Sequence, residues 1–248
     1  MIPKIVHYIW FGGNPYSEKI QHCIDSWHEY LPDYEFKIWN EKTFDVNSIP
    51  FTKQAYDNKK WAFVSDYVRL YALYNYGGWY LDTDVEVRKP LDPFVEKKLV
   101  LGTDEDGSLT ALMGSEKGFA AWERLLQYYE NVSFINTDGS FNQVVNNTYI
   151  EDILQEYGFV NENKYQELGE GMEVYPDDYF HAVSLLKGTK HITKNTYAIH
   201  WHTLTWTSGK SHIFRFIRTK ILLPLLGDEN GLRLLFYIRQ KLGIGDKK

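Results

Sequence analysis

Residues 77–85, GGWYLDTDV, constrain this chain more than any other stretch, because they set two aspartates, Asp82 and Asp84, two apart in an apolar, strand-like run. Alternate side chains of a strand share a face. The spacing therefore predicts Tyr80, Asp82 and Asp84 on one face, with Leu81, Thr83 and Val85 on the other. Two neighbouring carboxylates on a mostly buried strand repel each other at neutral pH and are costly to desolvate. A cation is expected beside them. Mg2+ and Mn2+ favour carboxylate and water oxygens and leave positions open for phosphates, so a divalent metal carrying a phosphorylated ligand meets both needs. A lone Asp-x-Asp also occurs as a polar strand end or an acidic turn, and its surroundings decide between these.

Those surroundings are regular. The apolar run 5–11 stops at Gly12-Gly13, as a buried strand does at a turn. Ser17 can cap a helix reaching about Tyr30, with Ile20, Ile24 and Trp27 on one face, and Pro32-Asp33 then turns into a second strand over 35–39. Strand, helix, strand is how a parallel α/β fold begins. Residues 61–76 form a helix that Gly77 is placed to end, and the Asp-x-Asp strand follows directly. On that helix Asp66 and Arg69 lie at i and i+3 and share a face. As an exposed ion pair they would contribute only about 0.5 kcal/mol; next to a bound phosphate they would be functional. Further strands are expected over 99–103 and 111–114, and a helix over 118–130.

Nothing repeats along the 248 residues, and no low-complexity tract or flexible linker divides them, so one main domain is expected. Nine Lys/Arg face three Asp/Glu beyond residue 209, a net of +6. With the whole chain at −6, the first 209 residues therefore carry −12. An acidic body argues against nucleic acid as a partner and leaves phosphates dependent on a metal or a placed arginine. The aromatic fraction is 17%, which suits sugar rings and nucleobases as well as a core. Cys23 is the single cysteine, so an internal disulfide and a cysteine-rich zinc site are excluded and a reducing compartment is expected. The opening MIPKIVHYIWFGG has no basic leader or small-residue cleavage site and reads as a strand, and the sequons at Asn131 and Asn146 carry no weight without secretion.

Together, HYIWFGG, SDYVRLYALYNYGGWYLDTDV, ALMGSEKG, VYPDDYF and AIHWHTLTW resemble the glycosyltransferases of the sugar-binding-region family that carries a DXD motif. That family includes fungal Golgi mannosyltransferases and bacterial capsule enzymes, and glucosylating toxin domains look similar. The resemblance covers residues 2–206 and implies an α/β GT-A (Rossmann-like) fold with a central mixed, mostly parallel sheet. It also implies a nucleotide-sugar donor, Mn2+ or Mg2+, and transfer with retention. By the same resemblance, Ile9 and Trp10 match the strand end that holds the base, and Trp10 would stack on it. Asp66 and Arg69 match the pair gripping donor sugar and phosphates. Tyr80 lies in the matched donor strand, Asp82 matches the carboxylate facing ribose and metal, and Asp84 matches the direct metal ligand. His200 matches the late metal histidine, with His202 as the alternative because Trp201 stands where a second histidine is common. Thr205 and Trp206 match a Ser-Trp pair near the β-phosphate, and the asparagine common near Thr110 is absent.

The resemblance implies an enzyme moving a hexose or N-acetylhexosamine from a nucleotide sugar, a UDP-sugar favoured, to a glycan acceptor in bacterial capsule, exopolysaccharide or other surface-glycan synthesis. The setting expected is cytoplasmic, peripheral at the inner face of the membrane. The same carboxylates would serve a metal-dependent nucleotidyltransferase or phosphohydrolase, against which stands the lack of a Walker-type loop, or a non-catalytic carbohydrate-binding module. Tyr128, Tyr129, Tyr175, Tyr179 and Phe180 can line an acceptor groove or fill the core. Residues 1–209 are expected to form the catalytic domain and 210–248 a basic helical extension. In the extension, Ile213, Phe214, Ile217, Ile221 and Leu225, and then Leu232, Leu235 and Phe236, fall at helical spacing among Arg215, Arg218, Lys220, Arg233, Arg239 and Lys241. Such a segment can pack on the body or lie on an anionic membrane carrying a lipid-linked acceptor.

Overall fold

A computed structural model describes residues 1–104, 109–144, 146–203 and 215–242. The first strand, β1 (Ile5–Ile9), leads into α1 (Glu18–Tyr30), which Ser17 caps by accepting the Ile20 N–H on its hydroxyl at 3.3 Å. β2 (Glu35–Trp39) returns parallel to β1, as expected of the βαβ opening. Two helices follow, α2 (Pro50–Asp57) and α3 (Trp61–Tyr76). The turn into β3 (Gly78–Leu81) is tight. Gly77 takes φ +64°, and at Gly78, with φ +105°, a Cβ would stand 2.5 Å from the Ile5 carbonyl oxygen. Only glycine combines that left-handed backbone with that closeness.

β3 pairs parallel to β1, so the chain has gone from β1 to β2 on one side and returned to β1 on the other. The remaining strands are β4 (Val85–Val87), β5 (Leu99–Gly102), β6 (Leu112–Ser115), β7 (Gln166–Glu167), β8 (Met172–Tyr175) and β9 (Ala198–His200). The main sheet runs in the order β2-β1-β3-β6-β5-β8-β7, and β4 and β9 form a separate antiparallel pair. From the pairings, β1, β2, β3, β5 and β8 point one way and β6 and β7 the other. This is the mixed, mostly parallel α/β sheet that the motifs implied.

Helices cover both faces. One core joins Ile9, Tyr80, Leu101, Met113 and Val174 to α2, α3, α4 (Ala120–Glu130) and α5 (Asn146–Gln155). The other joins Val6, Trp79, Leu81 and Val100 to α1 and α6 (Asp177–Phe180). All four residues of β3 are buried, with Trp79 and Leu81 in one core and Tyr80 in the other, which is the unbroken apolar pattern of a strand covered on both sides. Tyr129 and Phe180 prove to be core, while Tyr175 and Tyr179 line a cleft of about 550 Å³ with Tyr165, Tyr197 and Glu173.

The aspartate motif departs from expectation. β3 ends at Leu81 and β4 begins at Val85, so Asp82, Thr83 and Asp84 lie in a turn closed by the Val85 N–H on the Asp82 carbonyl at 2.9 Å. The chain must leave the seven-stranded sheet for the β4–β9 pair, and the turn makes that transfer.

The chain divides into two compact units, one of residues 1–183 with 191–202 and one of residues 184–190 with 203–248. In the second, residues 184–190 form a turn, and a π-helical stretch Arg218–Leu222 leads into helices Leu223–Leu226 and Asp228–Leu242. Within it Arg218 donates to the Leu185 carbonyl at 2.6 Å, and Leu223 and Leu235 are buried. Among the described residues no helix is long and apolar enough to cross a membrane.

Candidate active site

In open α/β sheets ligands gather at the carboxyl ends of the strands, where the strand order switches. Here that place lies between β1 and β3, so Trp10 and Asp82 follow adjacent strand ends.

α3 contributes the pair at i and i+3. Arg69 Nη2 lies 3.2 Å from Asp66 Oδ1, and the residues are only 7% and 6% exposed. The pair is thus buried and not the weak surface contact that spacing alone allows. α3 carries buried residues on almost every side, including Val64, Val68, Leu70, Ala72 and Leu73, so its charged groups have no solvent face to use. Each guanidinium nitrogen of Arg69 has a partner: Nε reaches the Ser65 carbonyl at 3.3 Å, Nη1 the Thr110 carbonyl at 3.1 Å, and Nη2 also lies 3.8 Å from Asp82 Oδ1. The guanidinium sits 4.7 Å from the Tyr80 ring centre, and the Tyr80 hydroxyl donates to Asp82 Oδ1 at 2.5 Å. Thr110 contributes its backbone carbonyl to this contact.

Asp84 and His200 meet across the β4–β9 pair, in which Val85 stands opposite His200. His200 Nε2 is 3.3 Å from Asp84 Oδ1. One ligand atom each from Asp82, Asp84 and His200 lies within 4.8 Å of the others, the only such group among the described residues. His202 turns its Nε2 to the Val183 carbonyl at 2.8 Å and adopts φ +50°. Two carboxylates and an imidazole suit Mn2+ or Mg2+, and the other ring nitrogen of His200, Nδ1, is buried without a hydrogen-bond partner. The donor set fits a divalent cation.

The charges here are strained in a consistent direction. Burial pushes the Asp66 carboxyl up to about 6 against the pull of Arg69, and burial likewise raises Asp82. His200 is disfavoured as a cation by burial, yet the carboxylates around it, Asp84 foremost and then Asp82 and Asp104, outweigh this and its pKa rises. Burial lowers His202 to about 2. Carboxylates raised by burial and a histidine held by a carboxylate mark a place short of positive charge.

Ile9 is buried in the core below the strand end, and Trp10 is half-buried above it. Trp10 Nε1 donates to the Asn14 carbonyl at 2.7 Å, and its ring meets Tyr16 edge-on at 4.9 Å. With Asn40, Glu41 and Lys42 they line a cavity of about 370 Å³. Thr205 and Trp206 lie outside the described residues. Sequence reasoning missed Asn146, whose backbone N–H donates to Asp66 Oδ2 at 3.3 Å and whose side chain donates to the Asp66 carbonyl at 2.9 Å. Read as a sequon, it gave no sign of reaching α3 across 80 residues. Asp104, buried just past β5, was missed as well.

Residues 17–101 match the family described as glycosyltransferase sugar-binding region containing DXD motif. Inositol phosphoceramide mannosyltransferase 3 of Schizosaccharomyces pombe is 34% identical over 122 residues, covering 47% of this chain and 34% of that protein. Inositol phosphoceramide mannosyltransferase 2 of the same yeast is 30% identical over 138 residues, 52% of this chain and 39% of its own length. A mannosyl phosphorylinositol ceramide synthase of Saccharomyces cerevisiae is 28% identical over 151 residues, 54% and 37%. The matches thus span about a third of the length of these curated relatives. The solved structure of the PaToxG glycosyltransferase aligns with 51% of this chain and 59% of its own at 22% identity, with a TM-score of 0.42. The matched region and the named mannosyltransferases support a DXD glycosyltransferase enzyme family. They also correct the expected setting. The relatives are yeast enzymes named for a ceramide lipid, which overturns cytoplasmic placement at a bacterial membrane and gives no footing to bacterial capsule synthesis. A lone buried cysteine and an apolar first strand bear on folding and do not report a compartment.

Proposed function

We propose that this chain transfers a hexosyl residue, with retention of configuration, from a nucleoside diphosphate sugar to a glycan acceptor. The observation that carries the reading is the convergence of Asp82, Asp84 and His200 within 4.8 Å, with Arg69 of the buried Asp66–Arg69 pair reaching Asp82 at 3.8 Å. Departure of a nucleoside diphosphate places negative charge on its β-phosphate, and catalysis needs that charge stabilised more in the transition state than in the ground state. Asp82, Asp84 and His200 would hold Mn2+ or Mg2+, and the cation supplies that stabilisation when bound. Arg69 has a different task from a phosphate fork. With Nε and Nη1 on backbone carbonyls, it fixes Asp66 and Asp82 and adds positive charge behind them. Asp66 keeps lone pairs free to accept bonds from donor hydroxyls. Trp10 offers its face to the base, a uridine by the sequence expectation. Thr205 and Trp206 remain assigned to the β-phosphate by resemblance. The departing phosphate can take the acceptor's proton, so no protein base is required.

The relatives' names put forward mannose as the sugar and a ceramide-linked inositol phosphate as the acceptor class. Residues 215–226 support a lipid-linked acceptor, because they expose Phe216 (61%), Ile217, Ile221 and Leu225 (76%) beside Lys220. The proposal therefore includes 210–248 as a basic helical extension from a catalytic domain of 1–209, touching an anionic bilayer surface. Ile213 and Phe214, and the side chains of Phe236, Arg239 and Lys241, lie outside the described residues. The test is a panel of uridine and guanosine diphosphate sugars with manganese, read first as donor hydrolysis and then as intact sugar on a glycolipid. Release of nucleoside monophosphate from any of them would point to a nucleotidyltransferase or phosphohydrolase. No turnover at all would leave a binding module.

A further inference from the structure

A third imidazole, that of His181, stands beside His200. His181, which closes α6, is 1% exposed, and both of its ring nitrogens are buried without a hydrogen-bond partner. Its ring centre lies 5.8 Å from that of His200, with the planes at 79°, and the ring of His202 lies 3.8 Å from His200 on its own account. Three histidines therefore gather around the end of β9. Burial lowers His181 to about 3, so it is a neutral ring with one N–H to give and one lone pair to fill.

The fold makes room for this ring at a specific point. At Gly102, the last residue of β5, a Cβ would come within 2.6 Å of His181 Cδ2 and 3.0 Å of Phe180 Cβ. A strand glycine commonly marks such a close approach. His7, buried as deeply, is satisfied at both nitrogens, by the Gly77 carbonyl at 2.8 Å and the Trp39 indole at 3.2 Å. Buried polar atoms nearly always have partners, and leaving one without costs about 1 to 3 kcal/mol. His181 and His200 Nδ1 are both orphaned, in rings 5.8 Å apart, and His200 belongs to a donor set that suits a cation known for keeping water in its shell.

We propose that His181 is a positioning residue of the divalent centre, hydrogen-bonding water held by the cation and so keeping Asp82, Asp84 and His200 in ligating arrangement. The inference rests on the metal reading of those three residues. Outer-shell partners of this kind change metal affinity about 10- to 100-fold when removed. A ring kept only for packing would behave otherwise, because phenylalanine fills similar space and removes the orphaned nitrogens.

Manganese binding to the full chain, measured by calorimetry and by paramagnetic resonance of free Mn2+, separates these roles. The variants are Asp84→Asn, His181→Phe and His181→Asn, with thermal unfolding of each measured alongside. The expected result is strong loss in Asp84→Asn, about tenfold or more weakening in His181→Phe with an unchanged or raised Tm, and partial recovery in His181→Asn. Loss in Asp84→Asn with wild-type affinity in both His181 variants overturns the inference alone. Equal, weak binding by wild type and Asp84→Asn overturns the metal reading and this inference with it. If His181→Phe does not fold, His181→Asn decides by the same criterion.

Discussion

The buried pair on α3 yields an asymmetry that ordinary salt bridges do not show. Removing Arg69 as Arg69→Met would leave Asp66 and Asp82 without their shared cation, with Asp84 nearby. Stranding buried charge in this way costs about 3 to 5 kcal/mol. Removing Asp66 as Asp66→Asn is different, because Arg69 keeps Asp82, the Ser65 and Thr110 carbonyls and the Tyr80 ring. Asp66 itself is held ionised at a disadvantage. Its carboxyl sits at about 6 against 3.8 when unfolded, so at pH 7 the ionised group burdens the fold by roughly 3 kcal/mol. That burden already counts the pull of Arg69, and asparagine relieves it, so Asp66→Asn should be at least as stable as wild type. Urea unfolding at pH 7, without metal, is the assay. Binding of manganese at a hundred times Kd adds about 2.7 kcal/mol to either protein, so the gap for Arg69→Met narrows by the degree to which the variant, lacking the competing positive charge, binds the cation more tightly than wild type. Sugar transfer should be lost in both variants. If Asp66→Asn destabilised the protein as much as Arg69→Met, the pair would be an ordinary structural bridge and the reasoning would fail.

Two further outcomes follow from single residues. Burial holds the neutral His7 ring down to about 4, whereas the unfolded chain takes up that proton near 6.5; its contribution is therefore complete at pH 7 and is lost as pH falls from 6.5 to 4, by about 3 kcal/mol. Urea midpoints for wild type and His7→Gln at pH 7 and pH 4.5 check this, and an equal acid loss in both would contradict it. Trp10→Ala should raise the donor's Michaelis constant by the equivalent of about 1 to 3 kcal/mol, with kcat little changed; tighter binding of guanosine than uridine diphosphate would reject the uridine preference. For the C-terminal segment, anionic vesicles should sediment with the intact chain at low salt and not with a version ending at Gly209; equal behaviour of the two would remove the lipid-surface role.

Much of this was legible in the sequence wherever the signal was local. Ser17 and Gly77 bracket their helices by capping and by left-handed backbone, and the spacing of Asp66 and Arg69 gave their shared face. Burial of that pair was not local information, since it depends on α4 and α5 covering α3. The Asp82–Asp84 turn was misread as strand because LDTDV alternates well enough for either; only the separate β4–β9 pairing forces the break. Asn146 meets Asp66 across 80 residues and His181 comes beside His200 from the end of α6, and no spacing in the sequence encodes either meeting.

The central claim is that Asp82, Asp84 and His200 hold a divalent cation through which a nucleotide sugar is used. The most direct measurement is manganese-dependent turnover of a nucleotide sugar by wild type and by Asp84→Asn, each with and without chelator, with circular dichroism showing both folded. The account predicts turnover in wild type that chelator abolishes and manganese restores, and none in Asp84→Asn. Near-normal manganese-dependent activity in Asp84→Asn, or wild-type activity indifferent to chelator, would contradict it.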